Sequence, residues 1–223
     1  MFPDLTRDDV FRLETQRLWL RWPRASDAAA IRRIVSVDEV ARQTAMIPHP
    51  YPAGAAEAHI LAARAGAAEG RAIELAMTLK TTREVIGQIH ARLDAGEIEV
   101  GYLVATEHWD NGYASEALAA LVDVVFALTF AQRIGARVLI DNEASAHVLE
   151  KQGFTAVGEE TVELPPRGGA RRRRRYVLER AARDGLRLRQ VPAMSQQSMS
   201  QQGAASPPAL GAPRAPETAR SWM

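Results

Sequence analysis

Cysteine is absent from all 223 residues. Its absence excludes disulfides, thiolate metal sites and a cysteine nucleophile. Net charge is nearly absent too. Lys and Arg number 28 against 27 Asp and Glu, a formal +1, so no global field argues for nucleic acid or an anionic membrane. Long apolar runs are missing. The strongest, ALAALVDVVFALTFA (117–131), is interrupted by Asp123 and is too short to span a bilayer. The opening MFPDLTRDDVF is acidic and lacks an apolar signal core. There is no internal repeat and no Gly-x-Ser-x-Gly hydrolase pattern. What remains is 47% hydrophobic and 25% charged, the balance of a soluble globular protein. The expectation is one cytoplasmic domain with a tail.

The periods divide the chain into a flexible N-terminal arm (1–12), a folded domain (13–189) and a disordered tail (190–223). The tail is rich in Gln, Ser, Ala, Gly and Pro and cannot bury enough surface to offset its ordering entropy. Within the domain, RLWLRW (17–22) alternates as a strand. Ser26 is placed to cap a helix through about Val37, and AAEAHILAARA (55–65) reads as a second helix beyond a Pro-rich loop (46–54). Segments 72–79, 84–93 and 97–105 read as three strands joined in antiparallel hairpins. A helix over 114–129 presents Ala114, Ala117, Leu118, Leu121, Val125 and Leu128 on one stripe, with Glu116 and Asp123 opposite. ARVLI (136–140) is a short strand. Asn142 can cap the next helix and Gly153 can stop it. Two strands close the domain, the second carrying Arg171 to Arg175. The fold class is therefore α+β: a twisted, mostly antiparallel sheet with one parallel βαβ crossover, from 97–105 to 136–140, and flanking helices.

WDNGYASEA (109–117) sits where the third of those strands gives way to a long helix. Asn111-Gly112 can be a turn, and Glu116 a first-turn carboxylate that favours the helix dipole. The same residues can also form an anion cradle. Gly112 lets the backbone approach a ligand, and the first amides of the helix lack partners inside it. The residues alone leave both readings open.

The layout W-D-N-G-Y-A-S-E-A resembles the acyl-CoA pyrophosphate loop of the GNAT N-acetyltransferase superfamily, in its ribosomal-protein-alanine acetyltransferase-like branch. NEASAHVLEKQGF (142–154) is similar to that branch's N-x-x-S-x-x-(V/L)-L-E-K-x-G-F signature. LETQRLWLRWPRASDA (13–28) resembles its opening, and IEVGYLV (98–104) the strand before the loop. The matches cover roughly residues 13–180, in order. Two departures stand out. Asp110 occupies a position where Gly is usual, so its carboxylate has to point away from a polyphosphate, and Trp109 replaces a Gln or Arg.

The resemblance implies direct transfer from acetyl-CoA to an amine, with no covalent intermediate. It assigns cofactor binding to Trp109, Asn111, Gly112, Tyr113, Ala114 and Ser115. Backbone groups of Val104 and the side chain of Asn142 would meet the pantetheine arm. Ser145 would be a proton donor near the sulfur, against the plainer reading of a small packing residue. Glu99 is the candidate base, sharing a strand face with Gly101, and Glu97 is its backup; a solvated carboxylate is the alternative. His49 and Tyr51 occupy the loop that borders the acceptor. No metal is expected, since His90, His108 and His147 lack ligand spacing. A homodimer is left open.

Two other function classes remain. One is a catalytically silent acyl-CoA-binding module. The other is an RNA- or ribosome-associated protein using Arg171 to Arg175, although aromatic interleaving is missing and a charge-guarded edge strand is the simpler reading.

Overall fold

The computed structural model describes residues 11–44, 47–164 and 169–190. Most of the expected arm and tail lies outside them, as do Met46 of the Pro-rich loop and residues 165–168 between the closing strands. The elements are β1 (Arg12–Glu14), β2 (Leu18–Arg21), α1 (Ala28–Val35), α2 (Asp38–Arg42), α3 (Ala55–Ala68), β3 (Ala72–Leu79), β4 (Val85–Asp94) and β5 (Glu97–Val104), then α4 (Tyr113–Leu128), β6 (Arg133–Leu139), α5 (Glu143–Lys151), β7 (Thr155–Leu164), β8 (Gly169–Glu179) and α6 (Arg180–Gln190). Eight strands form one sheet in the order β1-β2-β3-β4-β5-β6-β8-β7. Every neighbouring pair is antiparallel except β5 and β6. That pair is the expected crossover.

Alternation along β5 separates two faces. Ile98, Val100 and Val104 join Leu118, Leu121 and Val125 of α4 in the main core. On the other face Leu103 packs with Ile31, Val35 and Ile60 of α1 and α3. Glu97, Glu99 and Gly101 alternate onto that second side, so the polar residues of the central strand face the α1–α3 layer.

Several expectations are corrected. β1 starts at Arg12, inside the stretch read as an arm, because Phe11 packs on Trp22 with ring centroids 5.3 Å apart. Ser26 does not cap α1. The Asp27 carboxylate accepts the Arg24 amide at 2.7 Å and two hydrogen bonds from Arg21, so the chain enters through a 3-10 turn and the helix starts later. The α4 stripe runs through Val122 and Phe126, while Leu128 is exposed. Two helices, α2 and α6, are not foreseen by the sequence pattern.

α6 starts with a structural arginine. The Arg180 guanidinium donates to the carbonyls of Phe126, Thr129 and Ala131 at 2.8, 2.8 and 2.9 Å and stacks 4.7 Å from the Phe126 ring. It thereby answers carbonyls at the C-terminal end of α4 that the helix leaves unpaired. One turn on, Arg183 is 5% exposed and bonds Asp123, Gln152 and the Ala119 carbonyl. Asp123 is the charge that interrupts the apolar run, and this contact gives it a partner.

Candidate active site

The turn into α4 leaves helix amides open, as an anion cradle would require. Gly112, the residue before the helix, has φ 76°, the left-handed region that glycine enters without a Cβ clash, and no side chain caps the helix start. The first intrahelical bond runs from the Glu116 amide to the Gly112 carbonyl. The amides of Tyr113, Ala114 and Ser115 therefore open the helix without a partner among the described residues. Asp110 also takes a left-handed backbone, φ 58°, a conformation that suits glycine and that Asp tolerates better than most residues.

The loop is braced by residues the sequence reading does not single out. Arg17 donates its backbone N–H and Nε to Glu116, both at 2.7 Å, and Nη1 to the Asn111 carbonyl at 2.8 Å, while its guanidinium stacks 4.4 Å from the Tyr113 ring. Thr15 donates a further hydrogen bond to Glu116. Burial alone would raise the Glu116 carboxyl. The hydrogen bonds from Thr15 and Arg17, with the Arg17 charge, bring it below the usual carboxylate range instead. The opening motif L-x-T-x-R is thus a clamp on the helix that carries W-x-x-G-Y-A-x-E. Both halves are visible in the sequence. Their contact, across 99 residues, is not.

β5 and β6 pair only at Ile98–Ile134 and Glu99–Gly135, then part. The Ala105 amide bonds Ile86 of β4, so the alternation of an antiparallel ladder turns the backbone groups of Tyr102 and Val104 toward the opening. One of these is already engaged: the Val104 carbonyl accepts the Trp109 indole N–H at 2.8 Å. That bond ties the turn to the strand end and accounts for a tryptophan at 109. The Asn111 side chain likewise turns inward, donating to the Trp109 carbonyl at 2.8 Å.

The opening continues into a cleft of about 770 Å³ that reaches Tyr51, His90, Glu99, Tyr102, Asn142 and Ser145. Asn142 caps α5, its side-chain oxygen accepting the Ser145 amide at 3.0 Å, and its Nδ2 lies 3.4 Å from the Gln43 carbonyl. Ser145 Oγ lies 2.8 Å from the Tyr102 hydroxyl, which also donates to the Ser145 carbonyl at 3.2 Å. Burial pushes the Tyr102 hydroxyl up to about 12, with the Ser145 bond opposing, so it stays protonated and able to donate. Glu99 faces the cleft in an ion pair with Arg137. A proton taken on Oε2 would have to replace that contact. Glu97 pairs with Arg133 and Arg175. Tyr51 lines the cleft, whereas His49 lies outside it, 3.9 Å from Asp38.

Each arginine of the run is ion-paired where it stands. Arg171 pairs with Asp141, Arg172 and Arg174 with Glu159, Arg173 with Glu160 and Arg175 with Glu97. Glu84, Glu107 and His108 do converge, their ligand atoms within 4.8 Å of one another, a grouping that sequence spacing does not show. Arg33 already holds Glu84, and Thr106 contacts Glu107. No helix among the described residues is long and apolar enough to cross a membrane.

With this geometry established, similarity to known proteins narrows the chemistry. The acetyltransferase (GNAT) domain family matches residues 17–155. The uncharacterized N-acetyltransferase YoaA of Bacillus subtilis is 38% identical over 149 residues, which is 66% of this chain and 84% of that protein. RimJ of Mycobacterium smegmatis, solved with CoA-disulfide, superposes with a TM-score of 0.69 at 25% identity, over 85% of this chain and 97% of that one. The ribosomal-protein-S5-alanine acetyltransferase of Vibrio fischeri shares the fold, with a TM-score of 0.65 at 22% identity, over 76% and 96% of the two chains. The match spans β2 to the start of β7, and so includes the clamped loop, the parted strands and the α5 cap; the chain belongs to the GNAT acetyltransferase family.

Proposed function

We propose that this enzyme moves the acetyl group of acetyl-CoA directly to a primary amine, within a ternary complex. The observation that carries the reading is the sequence of three features along one path: the unpartnered amides of α4, the gap between β5 and β6, and the polar cleft beyond. The amides of Tyr113, Ala114 and Ser115 would take the diphosphate, favoured by the helix dipole by roughly 0.3–2 kcal/mol on top of the direct bonds. Tyr102 and Val104 would offer backbone groups to the pantetheine arm. The thioester then lies beside Ser145, whose hydroxyl can give the leaving sulfur a proton. The acceptor enters past Tyr51, and His49 would touch only a larger acceptor that extends out of the cleft. A protein N-terminus and a small-molecule amine both suit an opening of this size. Thiol release measured over a panel of primary amines, with mass detection of the acetylated product, tests the reading. Tight acetyl-CoA binding with no acetylated product would instead support a silent acyl-CoA-binding module.

Two variants follow. Asp110→Gly removes a non-glycine residue from a left-handed backbone and a carboxylate from the polyphosphate's neighbourhood. Removing the charge is expected to tighten acetyl-CoA binding severalfold, which calorimetric titration reads directly, while relief of the strain, about 1 kcal/mol and common to the free and bound enzyme, is expected to appear as stability. Glu99→Gln is expected to lower turnover with acetyl-CoA affinity unchanged, because Glu99 serves the reaction either as base or as the partner that holds Arg137. Undiminished turnover would refute both roles.

A further inference from the structure

The attacking nitrogen has to meet the thioester where β5 and β6 part, beside Gly101 and Tyr102. One titratable side chain reaches that point and has no part in the account above. His90 on β4 is the register partner of Gly101, and its ring lies across that residue. A Cβ on Gly101 would stand 2.7 Å from the imidazole Cε1 and 2.8 Å from Nε2. Glycine is needed here because any side chain would push the imidazole off the central strand. On the other side of His90, its register partner on β3 is Glu74, a carboxylate only 9% exposed. Arg92 holds Glu74 through Nε at 3.1 Å and Nη2 at 2.8 Å. His59 on α3 stands with Nε2 3.5 Å from Glu74 and 3.1 Å from the Gln88 amide nitrogen. A row of groups thus crosses three strands from the parted strands outward: Gly101, His90, Glu74 and the partly exposed His59. All but Gly101 are polar, and all four border the cleft.

We propose that His90 receives the proton of the attacking amine, with Glu74 stabilising the imidazolium and His59 passing the proton on to solvent. The proposal rests on acetyl transfer as described above and deepens it. The nitrogen lone pair forms the C–N bond, and the C–S bond breaks with its electron pair leaving on sulfur as the CoA thiolate. The N–H proton goes to the free imidazole nitrogen. The imidazolium releases a proton outward and the thiolate takes one up, which closes the balance. Glu99 is held by Arg137 through Oε2, so as a base it would first have to loosen that ion pair, whereas His90 has no such partner among the described residues to give up.

The electrostatics agree with this role. Burial, followed by the Arg92 charge, lowers His90 to about 4, with Glu74 opposing and His59 adding to the lowering. Of the other charged groups that line the cleft, Arg137 pairs with Glu99 and Asp94, and Arg173 with Glu160. The lone pair is therefore free at every pH above about 4, and the acid limb set by His90 lies there rather than near 6.5. An imidazole this weakly basic accepts the proton late, once C–N bond formation has made the nitrogen strongly acidic.

The test measures thiol release and acetylated product for wild type, His90→Gln and His90→Ala. The amine panel contains alanine-initiated and serine-initiated peptides, a diamine and an aminoglycoside. His90→Gln keeps a polar group of similar size but cannot take a proton, and turnover should fall about a hundredfold with acetyl-CoA affinity unchanged. His90→Ala opens a space over Gly101, and added imidazole should restore turnover in that variant alone. A histidine that only packs would give no such rescue. Turnover of His90→Gln within about twofold of wild type, well short of the loss expected for a proton acceptor, overturns the proposal. So does a folded His90→Ala that ignores imidazole. A wild-type chain that binds acetyl-CoA yet acetylates no amine is a distinct result, and overturns the acetyl-transfer reading itself.

Discussion

Gly112→Asp is expected to weaken acetyl-CoA binding by at least about a hundredfold, a loss near 2.7 kcal/mol, with the fold intact. Backbone strain does not supply that figure. A non-glycine residue in the left-handed region costs roughly 1–2 kcal/mol, and Asp sits at the low end. Crowding does not supply it either, since a Cβ at 112 would meet only the Arg17 guanidinium, at 3.5 Å. The loss comes from charge. The new carboxylate would stand next to the three amides proposed to grip the diphosphate, compete for them and neutralise Arg17. Gly112→Ala separates the contributions, because it brings the strain without the charge and should cost less than about tenfold. Titration calorimetry on both variants measures the difference. Equal affinities for the Gly112→Asp variant and wild type would remove the diphosphate from this turn.

Arg180→Ala carries the largest expected effect on stability, about 3 kcal/mol. Three carbonyls in the last turn of α4 and just beyond it would lose a charged donor together, and hydrogen bonds to charged groups contribute roughly 1.5–3 kcal/mol each before water compensates the freed acceptors. For a domain of this size that corresponds to a fall in Tm of roughly 6–12 °C. Arg180→Lys should recover less than half, since an ammonium cannot reproduce the planar fork that spans Phe126, Thr129 and Ala131. The arginines of β8 give the contrast. Arg172 is as charged as Arg180 but sits in solvent, and Arg172→Ala should leave Tm unchanged within error. A drop of less than about 1 kcal/mol for Arg180→Ala, measured by chemical denaturation, would mean that water replaces the guanidinium at the helix end.

The same contrast explains what can be read from the sequence. β3 is legible at 72–79 to the residue because AIELAMTL is a short apolar run, broken only by Glu74 and Thr78, between a glycine-containing turn and a polar one. The crossover from β5 to β6 is legible because a helix of sixteen residues separates two strands. α6 escapes the sequence for a physical reason. RAARDGLRLRQ looks solvated, yet Arg180 and Arg183 are the residues it docks with, and a buried arginine cannot be told from an exposed one by composition. At the site, the cradle is local and therefore visible, since Asn-Gly before a helix announces its own backbone geometry. The acceptor side is not. Glu99 falls on the expected face, but its partner Arg137 arrives from β6 across the parallel pair. Ser145 lies on α5 as expected, but the Tyr102 hydroxyl that meets it comes from 43 residues upstream. His90 enters the sequence reading only as a metal ligand to be dismissed, because nothing in QIHARL tells that the opposite strand places a glycine beneath it.

The parting of β5 and β6 has a consequence for how the molecule holds together. The hydrogen-bonded ladder is continuous from β1 to β5 and from β6 to β7, but the two halves are stitched at only two register positions. Any ligand lying in that seam joins the halves and acts as a mortise between them. An acyl donor seated there as proposed would stabilise the folded chain by mass action and brace the wall beside the acceptor cleft.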